Sequence, residues 1–215
     1  MPPEDKDIFR LDGRVALVTG AATGLGAGIA VALARQGADI VLAGRPGGAP
    51  LEETAQRAQK WGVRIHCIVM DLRDLDQIAI GAQDAITSMG KVDILVNNAG
   101  INRPAPGIEV TPEKWREQFD TNVRGGFFLA QYLVPSMIAR GWGRIIWVSS
   151  QAGVVGIPGQ PVYCATKGAV NQLVRTLGIE WAKYGITVNA IAPTFVETAL
   201  TRDRLQRPAF RDFVL

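Results

Sequence analysis

The chain has 215 residues, of which 47% are apolar and 20% charged. That length suits one sizeable domain and is short for two. A net charge of +3, two cysteines and a single histidine argue against three classes. A nucleic-acid face would need clustered Lys and Arg, a disulfide scaffold more cysteine, and a zinc site closer ligands than Cys67, Cys164 and His66 provide.

The first apolar run, Val15–Thr19, reads as a strand buried on both faces, because it is apolar throughout instead of alternating. Residues 1–7, before it, are polar, and no apolar stretch is long enough to span a bilayer. A cytoplasmic protein without a secretory leader or membrane contact is expected. After the strand comes Thr19-Gly20-Ala21-Ala22-Thr23-Gly24-Leu25-Gly26, opening a helix over Gly26–Gln36. Glycines between a strand and a helix permit a tight turn and close approach of the backbone to a pyrophosphate. The helix then points its free N–H groups at the anion. The spacing is G-x-x-x-G-x-G, which departs from the general dinucleotide fingerprint, and an ordinary glycine-rich turn is the competing explanation.

A second strand, Ile40–Ala43, leads to Gly44-Arg45. A carboxylate at this point would accept from an adenosine ribose hydroxyl. This chain offers an arginine instead, which suits a 2′-phosphate and favours NADP(H) over the alternative NAD(H). A helix over Leu51–Trp61 and a strand over Arg64–Val69 follow; His66 within that strand reads as structural. Asp71, just beyond, suits either the adenine amine or the N-cap of the next helix, Leu75–Met89.

The fourth strand, Ile94–Val96, ends in Asn97-Asn98-Ala99-Gly100, whose amides can satisfy backbone groups and hold the strand end open. A long helical stretch, Pro112–Arg140, contains Asn122. Asparagine is a poor mid-helix residue, so a special task or a local irregularity is expected there. The fifth strand, Arg144–Val148, ends in Ser149-Ser150. On the last helix, Val162–Tyr184, Tyr163 and Lys167 are four residues apart and share a face. A neighbouring ammonium lowers a phenol's pKa, which makes Tyr163 a candidate general acid or base. A sixth strand, Thr187–Ile191, precedes Pro193-Thr194. Regular alternation of strands and helices predicts an α/β fold with a parallel sheet covered on both faces. Ligands bind beyond the carboxyl ends of such strands, where all these polar groups converge.

Taken together, Thr19–Gly26, Asn97–Gly100, Asn122, Ser150 and Tyr163 with Lys167 resemble the short-chain dehydrogenase/reductase family, from Phe9 to about Thr198. The stretch from Phe9 to Gly20 and Ile101-Asn102-Arg103 are most similar to its sugar-acid members, the gluconate and deoxygluconate dehydrogenases; the 3-oxoacyl-carrier-protein reductases read similarly. The resemblance implies a single Rossmann-type, doubly wound sheet of order 3-2-1-4-5-6 and one dinucleotide-binding and catalytic domain over residues 1–215. It implies that Tyr163 exchanges a proton with a carbonyl or alcohol substrate. Lys167 would lower the pKa of Tyr163 and hold the nicotinamide ribose, Ser150 would bond the substrate oxygen, and Asn122 would hold a water. The implied cofactor set comprises Gly20, Thr23, Gly24, Leu25, Gly26, Arg45, Asp71, Leu72, Asn98, Ala99, Gly100, Tyr163, Lys167, Pro193, Val196 and Thr198. No metal is implied. Two departures stand out. The family usually has glycine where Thr194 stands, and its members usually continue past the equivalent of Leu215 into a helix and a seventh edge strand. Expected activity is reversible hydride transfer between a secondary alcohol and a ketone, in a homo-oligomer (dimer or tetramer) if that C-terminal region is present. A catalytically silent nucleotide-binding regulator or scaffold on the same fold is the alternative.

Overall fold

The computed structural model describes residues 8–197 and residue 206. Six strands form one parallel sheet: β1 Val15–Thr19, β2 Asp39–Gly44, β3 Ile65–Val69, β4 Ile94–Asn97, β5 Gly143–Val148 and β6 Ile186–Ile191. Their order is β3-β2-β1-β4-β5-β6, as the family resemblance predicts. The order reverses beside β1, so the connections leaving the carboxyl ends of β1 and β4 run to opposite faces of the sheet and leave a crevice between them.

The central strands are apolar throughout because both faces are covered. Ala16 and Val18 of β1 point to one face, joining Ile40, Leu42, Ile94 and Val96 beneath helices α1 (Gly24–Arg35) and α2 (Glu52–Gln59). Val15 and Leu17 point to the other, joining Val41, Leu95, Ile145 and Val188. That face is covered by α3 (Leu75–Met89), α5 (Gly125–Arg140) and α6 (Pro161–Ala182). The edge strands differ from the expectation of full burial. In β3, Val69 is 64% exposed, and in β6 only Ile186 and Val188 are buried, because each edge has a neighbour on one side alone.

The predicted helix over Pro112–Arg140 is three pieces. Helix α4 (Pro112–Phe119) starts at Thr111, whose hydroxyl accepts from the Lys114 N–H at 3.3 Å. A π-helical segment, Asp120–Arg124, follows and then α5. Asn122 lies in the middle of the π segment, which is the irregularity its poor helix propensity announces. Two glycines let the chain leave that segment against the sheet. A Cβ on Gly125 would lie 2.2 Å from the Leu72 carbonyl oxygen, and one on Gly126 would lie 2.7 Å from the Trp147 ring. Among the described residues no helix is long and apolar enough to cross a membrane.

Candidate active site

A cleft of about 740 Å³ opens beyond the carboxyl ends of β1, β2, β4 and β5. Its phosphate end is made of main chain. Gly20 and Gly24 adopt φ of +63° and +56°, a region where a side chain is strained. A Cβ on Gly26 would stand 2.2 Å from the Gly20 carbonyl oxygen and 2.4 Å from Asn98 Nδ2. Thr23 is the N-cap of α1, yet its side chain makes no capping bond, and the first turn holds no acid. The leading N–H groups of α1 therefore lack the side-chain partner a helix start normally recruits. The turn is pinned to β4 by two side chains. Thr19 Oγ1 accepts from the N–H groups of Asn98 and Ala99 at 3.1 and 3.0 Å. Asn98 Nδ2 donates back to the carbonyls of Thr19 and Gly20 at 2.8 and 3.2 Å.

Arg45 lines the same cleft with Ala43 and Gly44. Asp71 also lines it, but its carboxylate is engaged by Arg73: Nη2 to Oδ2 is 2.5 Å and Nε to Oδ1 3.0 Å. That bond, opposed by burial and helped by the nearby charge of Arg45, holds the Asp71 carboxyl below its usual range. The N-cap alternative for Asp71 is wrong. Asp74 caps α3, accepting from the N–H groups of Asp76 and Gln77, since it sits immediately before the first helical residue.

The other end of the cleft is made of side chains. Ser150 closes β5 and caps the short helical turn Gln151–Gly153, accepting from the Ala152 N–H at 3.1 Å. Tyr163 and Lys167 project from the first turns of α6, and all three line the cleft. Lys167 is only 4% exposed. Its Nζ donates to the Val148 carbonyl at 2.7 Å and lies 5.6 Å from the centre of the Tyr163 ring. Gly100 faces this group: a Cβ there would lie 3.3 Å from Asn122 Oδ1 and 3.6 Å from Lys167 Nζ. Ser149 turns away and donates to Asn171 Oδ1 at 2.6 Å. Pro193, Thr194 and Val196 line the cleft, and the Pro193 carbonyl accepts from the Gln151 N–H at 3.1 Å. Thr198 lies outside the described residues.

Against known proteins, residues 14–209 match the sequence profile of the short chain dehydrogenase family. The chain belongs to that family. It is 36% identical over 208 residues to gluconate 5-dehydrogenase of Gluconobacter oxydans, covering 97% of this chain and 81% of the relative. It is 40% identical over 198 residues to 2-dehydro-3-deoxy-D-gluconate 5-dehydrogenase of Dickeya dadantii, covering 90% and 76%. Among solved structures, a gluconate 5-dehydrogenase from Burkholderia cenocepacia in complex with NADP and tartrate superposes with a TM-score of 0.87 at 39% identity, covering 95% of this chain and 80% of that one.

The electrostatics of this short-chain dehydrogenase correct one expectation. Lys167 does not dominate the Tyr163 phenol. Burial raises the Tyr163 pKa above its ordinary value, opposed by the hydrogen bond with Ser150. Burial also drives Lys167 down, to about 8. Both groups lose solvation, and the ammonium donates to the Val148 carbonyl. The Asn122 side chain is engaged with the loop after β4 and with α6. Its Oδ1 accepts from the Ile101 N–H at 2.8 Å, and its Nδ2 donates to the Ile101 carbonyl at 2.8 Å and to Thr166 Oγ1 at 3.1 Å. It clamps the loop after β4 onto α6.

Thr19 and Thr166 are the residues that sequence reasoning missed here. Thr166 is fully buried and donates to the Tyr163 carbonyl at 2.8 Å while accepting from Asn122. Each looks like filler locally, one as the last residue of a strand, the other as a spacer between Tyr163 and Lys167.

Proposed function

We propose that this chain is an NADP-preferring oxidoreductase that interconverts a secondary alcohol and a ketone, the substrate being a sugar acid, with residues 1–215 working as one catalytic unit. The observation that carries this reading is the meeting, in one cleft, of a glycine cradle with Ser150, Tyr163 and Lys167. The cradle fits a dinucleotide: its glycines leave no room for a Cβ, and the start of α1 keeps its N–H groups unspent on side chains, as an anion requires. Gly20, Thr23, Gly24, Leu25 and Gly26 would hold the pyrophosphate, and Arg45 the 2′-phosphate. Asp71, Leu72, Asn98, Ala99 and Gly100 would line the adenosine and ribose portions. Pro193, Val196 and Thr198 would meet the nicotinamide, and Lys167 its ribose. When bound, the cofactor supplies or takes up the hydride.

The chain's own part is proton transfer and positioning. Ser150 bonds the substrate oxygen, and Tyr163 gives that oxygen a proton in reduction or takes one in oxidation. An amine with a pKa near 8 is suited to return the proton to Tyr163. The Asn122 side chain serves as the clamp behind both, and a water held at this residue would link Lys167 to solvent. A sugar-acid substrate is supported by the names of the two relatives and by the NADP and tartrate in the related structure. A catalytically silent regulator is not favoured, because a binding-only cleft has no use for a buried, titratable amine beside a phenol. Exposed Trp115 on α4, Tyr132 on α5 and Ile179 on α6 support a homo-oligomer. The test is NADPH-dependent reduction across keto sugar acids, with cofactor affinity measured in parallel. Tight NADPH binding without turnover of any keto acid or ketone would favour the regulator.

A further inference from the structure

Gln160 is the N-cap residue of α6, and it breaks the rule for such residues. Caps are normally Ser, Thr, Asp or Asn, whose short side chains bond the helix's own N–H groups. The Gln160 side chain makes no capping bond. It reaches across the mouth of the cleft, where its Oε1 accepts from Nδ2 of Asn102, 58 residues away, at 2.5 Å. A second tie runs beside it, from the Ala105 N–H to the Gly159 carbonyl at 2.8 Å. The loop after β4 is thereby fastened to the segment that leads into Tyr163. A position that abandons local rules commonly serves function.

The hydrogen-bond inventory of this bridge is incomplete. Among the described residues Asn102 Oδ1 is buried and has no partner, while Gln160 Nε2, which solvent reaches, bonds no other side chain or backbone group. Both residues line the cleft, as do Ser150 and Tyr163. One acceptor and one donor are thus left over at the site. Exchanging nitrogen and oxygen in both amides keeps the bridge and leaves the same count. An acceptor and a donor side by side match a hydroxyl, which both donates and accepts. A carboxylate, or the carbonyl of a thioester, only accepts, so it could take the Gln160 donor but would leave the Asn102 acceptor unpaired.

We infer that the Asn102–Gln160 amide bridge is the specificity element of this cleft, reading a hydroxyl on the carbon next to the reacting carbonyl and so selecting α-hydroxy ketones and their diols. This deepens the reading of the cleft as an oxidoreductase site and rests on it.

The experiment compares acetoin with butanone, which differ by that one hydroxyl, in NADPH-dependent reduction by the full chain. Wild type is expected to prefer acetoin, and this comparison needs no variant. Gln160→Leu and Asn102→Leu should each lower kcat/KM for acetoin by about tenfold or more, mostly through KM, because the hydroxyl loses a partner and a polar group of the bridge is left unpaired. Butanone turnover should fall by much less, because any loosening of the segment before Tyr163 is shared by both ketones and only acetoin also loses its hydroxyl contact. Gln160→Met, close in length to the native side chain, serves if the leucine variants fold poorly. Equal losses on both ketones would mean that the bridge is only a wall, and no preference in wild type would also overturn the inference; in either case the oxidoreductase reading survives. If wild type reduces neither ketone nor any keto sugar acid, that reading falls and the inference with it.

Discussion

At one end of the cleft the binding surface is backbone: a glycine turn at positive φ, N–H groups at the start of α1, and two side chains, Thr19 and Asn98, that only brace it. At the other end the surface is side chains, and their chemistry comes from burial, with Lys167 enclosed against the Val148 carbonyl and Tyr163 half-enclosed beside Ser150. The first design is a matter of shape, and a single added carbon is enough to spoil it. The second is a matter of solvation, and a change in one titratable group alters rate and pH dependence while leaving shape alone. Substitutions at the two ends should therefore fail differently.

The largest effect belongs to Tyr163→Phe, which keeps the ring and removes the proton. Turnover should fall by about a hundredfold to ten-thousandfold, while NADPH affinity changes little; steady-state kinetics beside a fluorescence titration of NADPH would show it. Retained turnover would remove Tyr163 from the chemistry. At the phosphate end, Gly26→Ala should do the reverse. The new methyl would sit 2.2 Å from the Gly20 oxygen and 2.4 Å from Asn98 Nδ2, so the turn must move. Cofactor binding should be lost and stability should drop by about 1–3 kcal/mol, as read by titration and by thermal unfolding. Normal NADPH affinity in this variant would mean that the cradle yields and is not shape-limited.

Arg45→Ala should act more narrowly. Losing one charge-assisted contact costs about 1.5–3 kcal/mol, or about tenfold to a hundredfold in NADPH affinity, with NADH affinity unchanged. If both cofactors weaken alike, Arg45 reads no 2′-phosphate and the preference for NADP has lost its support.

The same contrast explains what could be read before folding. The phosphate end is local: Gly20, Gly24 and Gly26 sit between a strand and a helix within seven residues of chain, and that context can be seen in sequence. The strand order followed from the family resemblance, and the burial of β1, β2 and β4 was legible because uniform apolar runs signal coverage on both faces. Asn122 could be recognised as irregular, but not as the centre of a π segment, since its amide answers to Ile101 and Thr166, 21 and 44 residues away. The Thr19 contacts span 79 and 80 residues. Asp71 could not be separated from Asp74 as a cap, because both precede the helix within four residues. Above all, a lysine on an amphipathic helix looks like a solvated side chain. Only the fold shows that Lys167 is enclosed, and that the burial of Tyr163 itself reverses the expected shift of the phenol.

The smallest effect follows from that enclosure and is read in stability instead of rate. Burial lowers the Lys167 pKa from its ordinary 10.5 to about 8. Below pH 8 the amine is charged in both folded and unfolded chains, and the full cost of burying the charge is present. Between about pH 8 and 10.5 the unfolded chain holds a proton there that the folded chain has released, so stability rises with pH, by at most about 1.4 kcal/mol per pH unit. Above 10.5 both states are neutral and this contribution is flat. Two groups work against the rise on the alkaline side: burial raises the Cys67 thiol above 9.0, and Tyr163 shifts above 10.0, so the folded chain keeps protons there that the unfolded chain loses. Lys167→Met isolates the lysine. Urea unfolding from pH 7 to 10 should show wild type gaining on the variant as pH rises, with the variant the more stable of the two near pH 7 if the buried charge costs more than the bond to Val148 returns. A difference between wild type and variant that stays constant across this range would mean that Lys167 titrates as a solvated amine, and its place as a proton store for Tyr163 would go with it.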